Sequence, residues 1–109
     1  MQKTDIENII NEIKEELKQK YSDFRGLYLF GSRARGDFNE NSDYDIALIF
    51  DREIDWRFKD EIRDIIINYE IKFIIVIDSH IYNVDSLSNP ATPFRCNIIE
   101  EGRFYEARA

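Results

Sequence analysis

Leu27-Tyr28-Leu29-Phe30-Gly31-Ser32-Arg33-Ala34-Arg35-Gly36, followed by Ser42-Asp43-Tyr44-Asp45-Ile46, decides the fold. The first four residues form an apolar run that stops at Gly-Ser, the punctuation of a buried strand giving way to a loop or helix. Asp37 to Ser42 is turn-rich, and Tyr44 to Phe50 is β-branched and aromatic enough for a second strand that can pair with the first. Gly31 removes a side chain where backbone would have to approach a phosphate, and Ser32 offers a hydroxyl and an N–H at a helix start, which attracts anions. Arg33 and Arg35 add positive charge beside them. Asp43 and Asp45 are separated by one residue, so on a strand their side chains leave the same face about 7 Å apart. That spacing suits a hard cation such as magnesium. A Gly-Ser pair alone is usually a turn, and Asp-x-Asp alone is more often a solvated strand edge or a helix cap. Two like charges opening a buried strand, however, repel one another and are costly to desolvate unless a cation or donor lies between them.

Outward from this stretch, Ile6, Ile9, Ile10, Ile13 and Leu17 recur at helical spacing, with Thr4 and Glu7 as a capping-box signature, and predict a helix over about 5–20. Ile54, Phe58, Ile62, Ile65, Ile66 and Tyr69 predict another over about 55–68. Ile71 to Ile77 is nearly continuous Ile, Phe and Val and reads as a central or doubly covered strand. Residues 79–90 lack a period and read as a loop, and Pro93 to Glu101 suits a closing helix with Gly102 as its cap. The expectation is an α/β (α+β) domain with a mixed sheet of at least three strands, helices on one face and the site on the other.

A chain of 109 residues can bury one core, so a single domain over 1–109 is expected, its centre at about 5–78 and a loop and helix over 79–109. A formal net charge of −7 argues against tight, sequence-independent nucleic-acid binding, which depends on a basic surface. No apolar run approaches the length of a membrane span, the N-terminus lacks an apolar leader segment, and Cys96 is the single cysteine. A reducing cytoplasm, no membrane, and a protein or small-molecule partner are the expectations; homo-oligomerisation is left open.

Gly31-Ser32-Arg33-Ala34-Arg35-Gly36 and Ser42-Asp43-Tyr44-Asp45-Ile46 together resemble the G-S-x-x-x-G, S-D-x-D signature of the DNA polymerase β-like nucleotidyltransferases. The match is nearest to their minimal nucleotidyltransferase (MNT) subfamily, whose members are often antitoxins paired with HEPN-domain toxins. The tail Pro93 to Gly102 also looks like the ending of a branch of these proteins. The resemblance implies that Asp43 and Asp45 bind magnesium, that Gly31, Ser32 and Arg35 hold the triphosphate of ATP or another NTP, and that a hydroxyl attacks the α-phosphorus to release pyrophosphate. It also implies a third carboxylate on the strand after the 55–68 helix. With that strand over 69–77, parity puts Glu70, Lys72, Ile74 and Val76 on one face, so Glu70 or Lys72 takes the position.

Two expectations follow. Either Glu70 completes a two-metal site and the protein transfers AMP from ATP to a hydroxyl of a small helical HEPN-type protein, as an antitoxin, or Lys72 replaces a metal electrostatically. The attraction at 4 Å, about 4 kcal/mol at an effective dielectric of 20, would allow the latter. The protein would then be a catalytically degenerate relative that binds and masks its partner. Asp78 falls about 20 Å beyond Glu70 along such a strand and is expected outside the site. His80 is expected in a loop, Cys96 in packing, and Trp56 and Phe58 in the core or an interface.

Overall fold

The computed structural model describes residues 3–31, 36, 43–88 and 92–107, apart from the side chains of residues 3–5 and 88. Helix α1 spans Lys3–Lys20, strand β1 Phe24–Phe30, strand β2 Tyr44–Phe50 and helix α2 Trp56–Phe73. Strand β3 spans Ile77–Asn83, helix α3 Val84–Ser88, helix α4 Pro93–Glu101 and strand β4 Arg103–Glu106. The sheet order is β3-β2-β1-β4, with β2 and β3 parallel and both other pairs antiparallel. The mixed sheet expected from the sequence is therefore present, with β4 as an added edge.

The periodic apolar residues of α1 are all buried, as are Phe58, Ile62, Ile65, Ile66 and Tyr69 of α2. Each contributes about 2 kcal/mol by burial, whereas isoleucine is only a few tenths of a kcal/mol worse than alanine as a helix former, so packing decides these helices. Both pack on one face of the sheet against Leu27, Leu29, Ile46, Leu48 and Phe50. The alternate residues Phe30, Ala47 and Ile49 face the other way and are covered by Leu87 of α3 and Ile98 of α4. The long helices thus share one face, and the short ones lie on the side that carries the site. Thr92 caps α4 through the Arg95 N–H at 3.2 Å, with Pro93 in the first turn and Gly102 at the far end. α1 is already helical at Lys3, which puts the backbone of Thr4 inside its first turn; the side chain expected to cap it lies outside the described residues.

The segment between α2 and β3 differs from the sequence expectation. Asp55 caps α2 by accepting the Phe58 N–H at 2.8 Å, and the helix continues to Phe73 instead of ending near residue 68. Ile74 then adopts a left-handed conformation, φ 54° and ψ 56°, and donates its N–H to the Glu70 carbonyl. The supposed strand 71–77 is therefore the last turn of a helix, a reversal, and the first residue of β3. An Ile-rich run satisfies a buried strand and a helix turn equally, so periodicity could not separate the two. Residues 79–88 are likewise strand and short helix, not loop.

Candidate active site

β2 and β3 run parallel with Asp45 opposite Asp78 and Ala47 opposite His80. Side chains at such paired positions leave the same face of strands about 4.8 Å apart, so the two carboxylates are neighbours. Asp43 stands exposed one residue before β2, and the following Tyr44 N–H donates to the Val76 carbonyl at 2.9 Å, fixing this end of β2 to the start of β3. β1 delivers Gly31: Phe30 pairs with Asp45, and Gly31 follows at φ 73°. A Cβ at Gly31 would lie 2.3 Å from the Asp45 Oδ2. Glycine is thus required twice, once by its positive φ and once because the Asp45 carboxylate occupies the space a side chain would fill.

Burial pushes the pKa of Asp45 upward, and the nearby charges of Asp78 and then Asp43 push it further. The charge of His80 acts in the opposite sense. His80 Nε2 is 3.3 Å from Asp78 Oδ2, and its ring is held among Phe30, Phe94 and Tyr82 at centroid distances of 5.9, 5.2 and 6.5 Å. A half-buried carboxylate beside two others is the condition that a divalent cation relieves, and the donor set is all oxygen, as magnesium prefers. These residues fit such an ion in donor chemistry, although among the described residues no three acidic, histidine or cysteine side chains are already grouped tightly enough to hold one.

Glu70 and Lys72 do not join this arrangement. Both lie on α2, on the opposite side of the sheet from Asp45. The Glu70 carboxylate accepts the Ile77 N–H at 3.0 Å and so ties the end of α2 to the start of β3. The Lys72 ammonium donates to Glu12 at 2.7 Å. The expectation that one of them stands beside Asp43 and Asp45 failed because it assumed strand geometry where the chain is helical. Asp78, placed 20 Å away by that assumption, is the neighbour. Its legible signal was an aspartate closing an apolar run, two residues before the single histidine. Ser32, Arg33 and Arg35 lie outside the described residues.

An antiparallel pair that turns at a glycine against a strand-borne aspartate, with a second aspartate on a parallel third strand, defines a nucleotidyltransferase-type domain. The chain belongs to that family: the family described as "Nucleotidyltransferase domain" matches residues 10–105. It is 32% identical over 99 residues to MJ0604 of Methanocaldococcus jannaschii, provisionally named a protein adenylyltransferase, covering 89% of this chain and 94% of that protein. The fold is shared with a chain of a solved toxin–antitoxin structure with AMP-PNP, at TM-score 0.64 and 22% identity over 90% of this chain and 70% of the other. It is also shared with a chain of a complex between the tri-AMPylated HEPN toxin of Shewanella oneidensis and its MNT antitoxin, at TM-score 0.56 and 18% identity, covering 90% and 69%.

Proposed function

We propose that this protein transfers AMP from ATP to a hydroxyl of a protein acceptor, with a HEPN-type toxin as the acceptor and neutralisation of that toxin as the outcome. The observation that carries the reading is the pairing of Asp45 with Asp78 across β2 and β3, with Asp43 within electrostatic reach. That pairing removes the reason for expecting a degenerate site, since Lys72 is engaged by Glu12 elsewhere. The names of MJ0604 and of the AMPylated toxin complex support AMP as the transferred group and a protein as the acceptor.

In this mechanism Asp43, Asp45 and Asp78 would hold magnesium, which supplies charge neutralisation for the triphosphate and polarises the α-phosphoryl group. Gly31 keeps the Asp45 carboxylate at the turn where Ser32 and Arg35 are expected to meet the phosphates. The acceptor oxygen forms a bond to the α-phosphorus as the bond to the bridging oxygen of the β-phosphate breaks, and pyrophosphate leaves. The hydroxyl proton passes to the Asp78 carboxylate, which His80 Nε2 faces at 3.3 Å.

Incubation with α-phosphate-labelled ATP, magnesium chloride and a HEPN-type protein tests this. Label is expected on the acceptor with the native protein and with Glu70→Gln, and is expected to be absent with Asp45→Asn or Asp78→Asn. Neutralisation of the acceptor without label transfer would establish the masking reading instead.

A further inference from the structure

The two edges of the sheet are built differently. β4 is four residues long, whereas β3 pairs with β2 over all seven of its residues and carries no bulge, proline or lysine of its own. An edge of that kind is open to a further strand. Because Tyr44 donates its N–H to the Val76 carbonyl, the alternate residues Asp78, His80 and Tyr82 bond to β2, and Ile77, Ser79 and Ile81 turn their N–H and C=O groups outward. The first outward donor is already met, since the Ile77 N–H goes to the Glu70 carboxylate at 3.0 Å. The outward groups of Ser79 and Ile81 meet no partner among the described residues.

Glu70 belongs to a flank of α2 that runs beside this edge. Lys59 and Arg63 share that flank, lying within about 40° of Glu70 around the helix axis. Together with Ser79, His80, Ile81 and Tyr82 they line a depression of about 210 Å³, which no carboxylate among the described residues lines. Neither cation has an ion-pair partner among the described residues, and like charges four residues apart on a helix repel one another. The adjoining carboxylates point elsewhere. Asp60 and Asp64 sit about 100° further round α2, away from the sheet, and Asp78 leaves the opposite face of β3 from Ser79, paired with Asp45.

We propose that the β3 edge takes an extended acidic segment of a protein partner as a further strand, antiparallel to β3, with Glu or Asp opposite both Ser79 and Ile81. Residues paired in this way share a face, so both carboxylates come to the α2 side. They stand roughly 7 Å apart there, and Lys59 and Arg63 are spaced by about 6 Å along the helix to meet them. A peptide backbone matches the alternating donors and acceptors of the edge, whereas a phosphate has no N–H to give to the Ser79 and Ile81 carbonyls. A second copy of this chain fits less well. An antiparallel β3 pair would put both α2 helices on one face of the joined sheet and turn Lys59 and Arg63 of each copy toward those of the other. This docking edge is independent of the transfer reading above.

The test uses fluorescein-labelled extended peptides in which two glutamates, or two lysines, alternate with valine. Fluorescence anisotropy should show saturable binding of the glutamate peptide by the full chain, at least ~10-fold tighter than of the lysine peptide. N-methylation of the two glutamate amides, which removes the N–H groups bound for the Ser79 and Ile81 carbonyls, should weaken binding by ~10-fold or more. N-methylation of the valine between them should change it by less than ~3-fold. Lys59→Glu/Arg63→Glu should reverse the preference toward the lysine peptide. Ser79→Pro removes an outward N–H and no hydrogen bond to β2, so it should abolish binding while a cooperative melt is retained; if that variant fails to fold, the methylated peptides decide. Equal binding of the two charged peptides, no saturable binding, or a glutamate preference that survives Lys59→Glu/Arg63→Glu overturns the proposal. Undiminished binding of the glutamate-methylated peptide does so too, by leaving a charge contact without a strand. So does a dimer in sedimentation that Ser79→Pro dissociates, which would make the occupant a second copy.

Discussion

The two ends of the central strand pair treat an aspartate in opposite ways. At one end Asp23, just before β1, accepts from the Arg52 guanidinium, with Arg52 Nη2 at 3.2 Å, and this hydrogen bond holds its carboxyl below the usual range. Arg52 in turn lies over the rings of Phe58 and Tyr21 at 4.1 and 5.6 Å, and Tyr21 donates to Glu61 at 2.7 Å. At the other end Asp45 has like charges for neighbours, and its pKa moves up. The first end spends its charge on holding β1, β2 and α2 together. The second sets like charges against one another, the arrangement that the proposed magnesium site would relieve.

The largest expected effect separates the ends most sharply. Asp45→Asn or Asp78→Asn should lower AMP transfer by on the order of 1,000-fold, because either removes a group that the proposed mechanism uses as metal ligand or proton acceptor. The same substitutions remove like-charge repulsion, so Tm should rise by a few degrees. A labelled-ATP assay beside a thermal melt reads both, and a fall in Tm with unchanged transfer would show that the pair is structural. Phe58→Ala at the opposite end should do the reverse. Phe58 is buried, with edge-on contacts to Tyr21 and Phe50 at 5.5 and 4.8 Å, so truncation should cost about 3–5 kcal/mol in urea unfolding. Transfer per folded molecule should be little altered.

Gly31→Ala sharpens the comparison at smaller scale. The left-handed φ costs about 1–2 kcal/mol for an L side chain, and the new methyl would lie 2.3 Å from the Asp45 carboxylate oxygen. The carboxylate must swing away, so transfer should fall by about 100-fold or more while unfolding free energy drops by only about 2 kcal/mol. Equal losses in Gly31→Ala and Asp45→Asn, with no further loss in the double substitution, would show that the glycine acts through that carboxylate.

Much of the candidate site's geometry was legible in the sequence. The apolar run ending at Gly31 and the alternation from Tyr44 gave two adjoining strands, and parity put Asp43 and Asp45 on one face. The carboxylate paired with Asp45, Asp78, was not legible as its neighbour, for a physical reason: its position depends on where α2 ends, and Ile71 to Ile77 carries no breaker. The reversal is made by Ile74, a residue whose side chain argues against the conformation it adopts. A strand drawn six residues early takes Asp78 out of register with Asp45. Strand β4 escaped for a simpler reason, since Arg103–Glu106 is four residues long and pairs only at the sheet edge.

The smallest expected effect concerns pH. Asp23 has a folded pKa below its unfolded value, so its stabilisation is complete above the ordinary carboxylate range and is lost as pH falls through the folded value. Asp45, with a folded pKa above its unfolded value, acts with the opposite sign: ionised it destabilises, and stability is regained as pH falls through that raised value. On acidification from neutrality the Asp45 end should therefore titrate first and add stability, and the Asp23 end should titrate later and remove it. Urea midpoints measured from pH 7 to pH 2.5 should rise slightly before falling. Asp45→Asn should abolish the rise, and Asp23→Asn should flatten part of the fall below about pH 4. Because Arg52 is partly exposed, the Asp23 contribution is held to about 1 kcal/mol and should shrink in 0.5 M salt. A rise that persists in Asp45→Asn would place the upward-shifted acid elsewhere and dissolve the contrast between the two ends.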